Sequence, residues 1–233
     1  MGKDDWFRLP CLTDERQQAF ELRLRRARSS RPEYMRIQAH ALAEAKAYDN
    51  ALTLLDRILA DHPEHLGAWI IESRADCFHK LGRYDEAVQD YVKSIARMRE
   101  DPGLVSNAPL RLARLACEQE RDDIYEECLG YLVEFWDSAP IFPRHELHQF
   151  GYNAILLDLL GQHEDAIPPA RRALAAAAKT RSNAANHQKL GLATAGDKAL
   201  VKRLERILGG NPFSPAGSGI QGLISKIKLA FTR

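Results

Sequence analysis

A chain of 233 residues with 45% apolar content can bury a substantial core, and 33 basic against 32 acidic residues leave a formal charge of only +1. That balance argues against a dedicated nucleic-acid binder, which carries a basic excess. No stretch approaches the roughly 20 apolar residues of a membrane span, and the start Met1-Gly2-Lys3-Asp4-Asp5 opens no signal-type apolar run, so a cytoplasmic protein is expected.

Residues 1–32 read as an N-terminal arm and capping helix. Trp6, Phe7, Leu9 and Leu12 stand among few helix signals, as in an extended arm that docks its aromatics on a neighbouring helix. Thr13 offers an N-cap, with Asp14 and Glu15 in the first turn where the helix dipole favours acids. The predicted helix runs to about Ser29 and is broken by Ser30-Arg31-Pro32. Its arginines, Arg23, Arg25, Arg26 and Arg28, with Arg31 beyond, share the segment with Glu15 and Glu21 and read as a solvated face, with contact to an anionic partner as the alternative.

From residue 33 to residue 208 the chain repeats itself. Small residues at Ala51, Ala87, Cys128 and Ala166 recur at intervals of 36, 41 and 38 positions. Three residues before each stands Tyr48, Tyr84, Tyr125 or His163, and four residues after each stands Leu55, Tyr91, Leu132 or Ala170, one turn along the same helical face. Prolines follow the second helices at Pro63, Pro102 and Pro140, where a missing N–H ends the ladder. Counting back from each marker places small first-helix residues at Ala39, Ala75, Ala116 and Ala154, and larger ones at Leu42, Phe78, Gln119 and Leu157. The four cysteines, Cys11, Cys77, Cys117 and Cys128, form no Cys-x-x-Cys pair and read as free thiols, with Cys117 and Cys128 in small core positions.

This pattern, clearest in Leu81-Gly82-Arg83-Tyr84-Asp85-Glu86-Ala87 followed by Tyr91, resembles the tetratricopeptide repeat, a helix-turn-helix unit of about 34 residues. The resemblance covers roughly residues 33–178, with a weaker continuation through Lys189-Leu190-Gly191 and a helix near Asp197 to Leu208. It implies an all-α, right-handed superhelical solenoid of antiparallel helix pairs, about four to five units long, because a single pair cannot cover its own apolar face. The family's leucine beside the small residue is replaced by Gln38, Arg74 and Asn153 in three units, with Leu115 as the match in the remaining one.

Beyond Leu208 the texture changes. Residues 209–219, rich in Gly, Pro and Ser, read as a flexible linker, and residues 220–233 as a basic amphipathic helix with Ile220, Leu223, Ile224, Ile227 and Phe231 at helical spacing. Such a tail can cap the solenoid or its groove, engage another protein, or lie on a membrane surface.

The resemblance also implies that first helices line the recognition surface. The partner-binding candidates are Arg36 and His40 in unit one, Trp69, Glu72, Asp76, His79 and Lys80 in unit two, Arg114 and Arg121 in unit three, and Tyr152 in unit four, with Glu44, Cys117, Glu120, His148 and Asp158 beside them. Relatives that clamp a terminal carboxylate use lysine, asparagine and arginine at set positions. Here those positions read Glu33, Arg36, His40, Trp69 and Ser73, so that clamp is not reproduced.

Chemistry is hard to find. His62 with His65 and His145 with His148 are two His-x-x-His spacings without a third ligand, and read as helix-start or solvated histidines. No dinucleotide, phosphate-loop or nucleophile-elbow motif occurs. Acidic neighbours such as Asp122 with Asp123 diverge on a helix surface. The expectation is a cytoplasmic, bacterial-type scaffold or adaptor that binds a protein or peptide, with no catalysis, no cofactor, no metal, no specific nucleic-acid partner, and membrane contact only through 220–233. The alternative is a regulator or immunity-type inhibitor that occludes a partner protein, with the C-terminal helix as its effector or autoinhibitory element.

Overall fold

The computed structural model describes residues 6–27, 29–62, 67–101, 103–136, 140, 142–184 and 187–209. Arg28, Pro63, His65 and Pro102, and the expected linker from residue 210 and tail helix 220–233, lie outside the described residues. Among the described residues there are ten α-helices and no strand, and the chain forms two compact units, residues 1–108 and 109–233.

The first unit holds α1 (Asp14–Leu24), α2 (Arg31–Glu44), α3 (Tyr48–Asp61), α4 (Ala68–Lys80) and α5 (Tyr84–Glu100). Thr13 caps α1 by accepting from the Arg16 N–H at 3.4 Å. α1 stops at Leu24, short of the expected Ser29, because the Arg31 guanidinium takes the terminal carbonyls of Leu24 and Arg25 at 3.4 and 3.5 Å. Ahead of it, Trp6 packs against Phe20 and Tyr34 with ring centroids 5.4 and 5.1 Å apart, and Phe7 against Tyr34 at 4.7 Å. α2 pairs with α3 and α4 with α5, and α3 in turn packs on α4.

The second unit continues the alternation with α6 (Ala108–Glu118), α7 (Tyr125–Glu134), α8 (Pro143–Leu159), α9 (His163–Ala177) and α10 (Lys198–Leu208). α8 packs on α7, α9 and α10, which leaves almost every side chain from Glu146 to Leu159 buried. α10 lays Leu200, Leu204 and Ile207 inward and keeps Lys202, Glu205 and Arg206 in water, the amphipathic division a terminal helix requires. Gly151 lets it approach closely, since a Cβ there would sit 3.2 Å from the Leu200 Cδ1.

Each second helix begins on the aromatic or His residue of the repeat, Tyr48, Tyr84, Tyr125 or His163, and the markers Ala51, Ala87, Cys128 and Ala166 are all fully buried. The turns share one hydrogen-bond pattern. Ala47 donates to the Leu42 carbonyl, Arg83 to Phe78, Arg121 to Ala116 and Gln162 to Leu157, while Lys46, Gly82, Glu120 and Gly161 take positive φ. This is the Schellman closure, with the left-handed residue one place before the donor.

Those turns correct the register of the third unit. Ala116, not Gln119, is the equivalent of Leu42, Phe78 and Leu157, and the small first-helix residue is Ala113, not Ala116. A one-turn 3-10 segment, Asp122–Ile124, is inserted between turn and second helix, which is why the marker interval lengthens there and why counting back from Cys128 overshoots. The family leucine is accordingly Leu112, which is buried, rather than Leu115. The four cysteines are buried free thiols.

Candidate functional site

In the first unit the expected recognition residues divide into two groups. Trp69, in the first turn of α4, is the largest exposed aromatic of the unit, and the Arg36 guanidinium from α2 stands over its ring at 4.9 Å. Arg36 is oriented by Glu33, one turn earlier, through Nε at 2.9 Å and Nη2 at 2.5 Å. Gly67 lies directly beneath the indole, where a Cβ would collide with the ring. The Ser73 hydroxyl donates to the Trp69 carbonyl at 2.8 Å, and His40 and Lys80 are exposed on the same helices.

The second group is engaged internally. Glu72 is buried and accepts from the Asn107 N–H at 2.9 Å, just ahead of α6. Asp76 accepts from the Tyr91 hydroxyl at 2.6 Å, tying α4 to α5, and His79 stacks edge-on against Tyr84 at 5.8 Å. Arg74 carries the strongest network, donating to Asp90 at 2.6 and 3.0 Å and to Asp56 at 2.8 Å. It stands where the family has leucine, and its carboxylate partner Asp90 comes from α5, far along the chain.

In the second unit Arg114 is on α6 and Tyr152 on α8, but Arg121 is not on a first helix at all. It occupies the turn after α6, at the place of Arg83, and forks onto Asp123 with two bonds of 2.8 Å. α8 is also less open than a first helix of a free groove wall, because α10 covers it.

The chain's pattern did not disclose the polar centre of this unit. Arg144, His148 and Tyr152 follow one another at four-residue spacing and so share a stripe of α8. Asp197, from the 3-10 turn before α10, accepts from Arg144 Nε and Nη2, from the Thr194 N–H at 2.7 Å and hydroxyl at 2.9 Å, and meets His148 Nε2 at 2.7 Å. Burial would raise the Asp197 carboxyl, but the donations from Arg144, Thr194 and His148 outweigh it and hold the group well below the usual carboxylate range. Burial lowers the His148 imidazole, with the bond to Asp197 acting against it, and burial pushes the Tyr152 phenol up. The only advance sign was the i, i+4, i+8 spacing. Asp197, roughly 50 residues away in sequence, carried none.

No helix among the described residues is long and apolar enough to cross a membrane. No curated protein matches the chain. The tetratricopeptide repeat family model matches residues 42–89, a segment that runs from the last turn of α2 through α3 and α4 into α5 and contains the Leu81–Ala87 signature. Repeats of this family generally mediate contacts between proteins. Residues 42–89 are thus similar to the tetratricopeptide repeat, and the turn construction found within that segment recurs in all four hairpins.

Proposed function

We propose that this protein is a non-catalytic scaffold or adaptor that binds a protein or peptide through the faces of its first helices. One observation carries the reading: Trp69 is exposed with Arg36 held against it, whereas the repeat residues Ala39, Ala51, Ala75, Ala87 and Tyr91 of the same unit are buried. A tryptophan and an oriented arginine are the residue types that dominate protein interfaces, the first through area at low entropic cost, the second through its planar fork. In this reading the N-terminal residues 1–32 and α10 close the two ends of the repeat domain, 209–219 is a tether and 220–233 a regulatory element. The inhibitor reading rests on that last segment, outside the described residues.

The test is photo-crosslinking from positions 40 and 80, exposed on the helices that carry Arg36 and Trp69, in cells expressing the full chain. A defined protein partner should be captured, and Trp69→Ala or Arg36→Ala should reduce capture by about tenfold, the effect of losing one interface anchor. Gly67→Ala should reduce it too, by displacing the indole, with an unchanged melting curve. Recovery of the chain alone, or of the same partners by Trp69→Ala, would sink the reading.

A further inference from the structure

The formal charge of +1 hides an uneven distribution along the chain. Residues 166–233 hold twelve of the 33 lysines and arginines but only two acids, Asp197 and Glu205. Asp197 is buried and engaged by Arg144, His148 and Thr194, which leaves Glu205 as the exposed acid of this region. Three of the cations are also engaged internally: Arg172 and Lys179 pair with Glu146, and Arg203 donates to the Cys117 carbonyl at 3.1 Å. By contrast Lys198, Lys202 and Arg206 on α10, with Arg181 and Lys189 in the segment before it, are exposed and have no ion pair or hydrogen bond among the described residues. Four-residue spacing sets Lys198, Lys202 and Arg206 in one row, about 5–6 Å between neighbours, on the side of α10 away from the buried Leu200, Leu204 and Ile207. Like charges so spaced repel and weaken a helix, so packing on α8 and α9 does not account for the row.

α10 ends on Leu208, an apolar residue 37% exposed, and the chain continues from there to Arg233 without an acid. In that stretch Lys226, Lys228 and Arg233 accompany Ile220, Leu223, Ile224, Ile227 and Phe231, which recur at helical spacing. Two attractions of different kinds, a row of cations and an apolar stripe, therefore follow each other in the chain with almost no acid to oppose them. A nucleic-acid backbone would use only the first, and a short cationic row neutralises too few phosphates to hold at ordinary salt. A bilayer surface containing anionic lipid uses both, because its headgroups attract the cations and its acyl boundary takes up the apolar stripe. Either signal alone attaches weakly, while the two together give stable anchoring. We propose that this end of the second unit is a docking site for an anionic membrane surface, on which the row Lys198, Lys202 and Arg206 meets lipid headgroups and residues 220–233 bury their apolar stripe. The site is separate from the protein-binding face at Trp69 and does not depend on it.

The experiment is co-sedimentation of the full chain with phosphatidylcholine vesicles and with vesicles in which about a third of the lipid is phosphatidylserine. The chain should sediment with the second and stay in solution with the first, and added salt should release it by screening the surface charge. Lys198→Gln/Lys202→Gln/Arg206→Gln, at exposed positions that leave the melting curve unchanged, should weaken vesicle binding by at least about tenfold. Ile224→Asn/Ile227→Asn, which alters no charge, should weaken it by about tenfold as well. Removing as many cations from the first unit, at the exposed Arg16, Arg25 and Arg26, should leave vesicle binding unchanged.

Equal sedimentation with both kinds of vesicle, or none with the anionic kind, would overturn the proposal. So would full affinity in either the α10 variant or the isoleucine variant. A loss as large in the Arg16, Arg25 and Arg26 variant would reduce the effect to net charge, and displacement from vesicles by an oligonucleotide at equal charge concentration would assign the surface to nucleic acid instead. If vesicles do not bind while crosslinks around Trp69 capture a partner, the scaffold reading stands and this site falls. If vesicles bind and the Trp69 face captures nothing, the first-unit site falls instead.

Discussion

One position of the hairpin, immediately before the small first-helix residue, is filled in four different ways: Gln38, Arg74, Leu112 and Asn153. Leu112 is plain core. Gln38 and Asn153 are equally buried, but neither their amide nitrogens nor their oxygens find a partner among the described residues. An unpaired buried amide costs about 1–3 kcal/mol, so Gln38→Leu and Asn153→Leu should each stabilise the protein by roughly that amount, read by chemical denaturation. Arg74→Leu should do the opposite, by about 3–5 kcal/mol, because it strips the buried Asp90 of its main cation. A loss of stability in both amide variants would show that their polarity is satisfied in a way the helix packing does not reveal. His148 supplies the residue-scale pH dependence. Its folded-state affinity for a proton is below the ordinary value of 6.5, so the unfolded chain binds the extra proton and stability falls as pH drops below about 6.5. Asp197, also lowered, adds a second loss below its ordinary 3.8. Melting temperatures of His148→Gln should lose the first step and keep the second; retention of both would remove His148 from the account.

At the scale of the element, the four turns show what a repeat tolerates. Gly82 and Gly161 occupy the left-handed position without strain, while Lys46 and Glu120 hold the same backbone with a Cβ. The left-handed conformation costs an L-residue about 1–2 kcal/mol, partly offset by the entropy a glycine loses on folding. Lys46→Gly and Glu120→Gly should therefore stabilise by about 0.5–1 kcal/mol, a rise of a few degrees in scanning calorimetry, and Gly82→Ala and Gly161→Ala should lower the transition. Destabilisation by Lys46→Gly and Glu120→Gly, or stabilisation by Gly82→Ala and Gly161→Ala, would contradict the shared closure. Two prolines inside α9, Pro168 and Pro169, are the other departure from simple hairpin chemistry, since each removes one N–H from the ladder.

At the scale of the whole molecule, the helical hairpins within each compact unit are held by contacts between neighbours, so damage should stay local. Leu204 is fully buried on the inner face of α10, against the gap left by Gly151. Leu204→Ala should cost about 2–5 kcal/mol in that region. Hydrogen exchange followed by mass spectrometry should show α8 and α10 losing protection while α2 to α4 keep theirs. An even loss across both compact units would mean a single cooperative core instead.

The amino-acid sequence alone determined the helical class, the paired arrangement, the buried small residues and three of four repeat registers, because helical periodicity and turn glycines are local signals that survive without knowledge of neighbours. Tertiary structure decided the rest. The register of α6 depended on a one-turn insertion that shows only when its closing hydrogen bond is seen beside the other three. Whether a first-helix side chain faces outward or its own fold depended on residues far along the chain: Tyr91 takes up Asp76, the segment before α6 takes up Glu72, and Asp197 gathers Arg144 and His148 into one centre. Spacing fixes which residues share a helical face, but only the packing of distant segments fixes what that face meets.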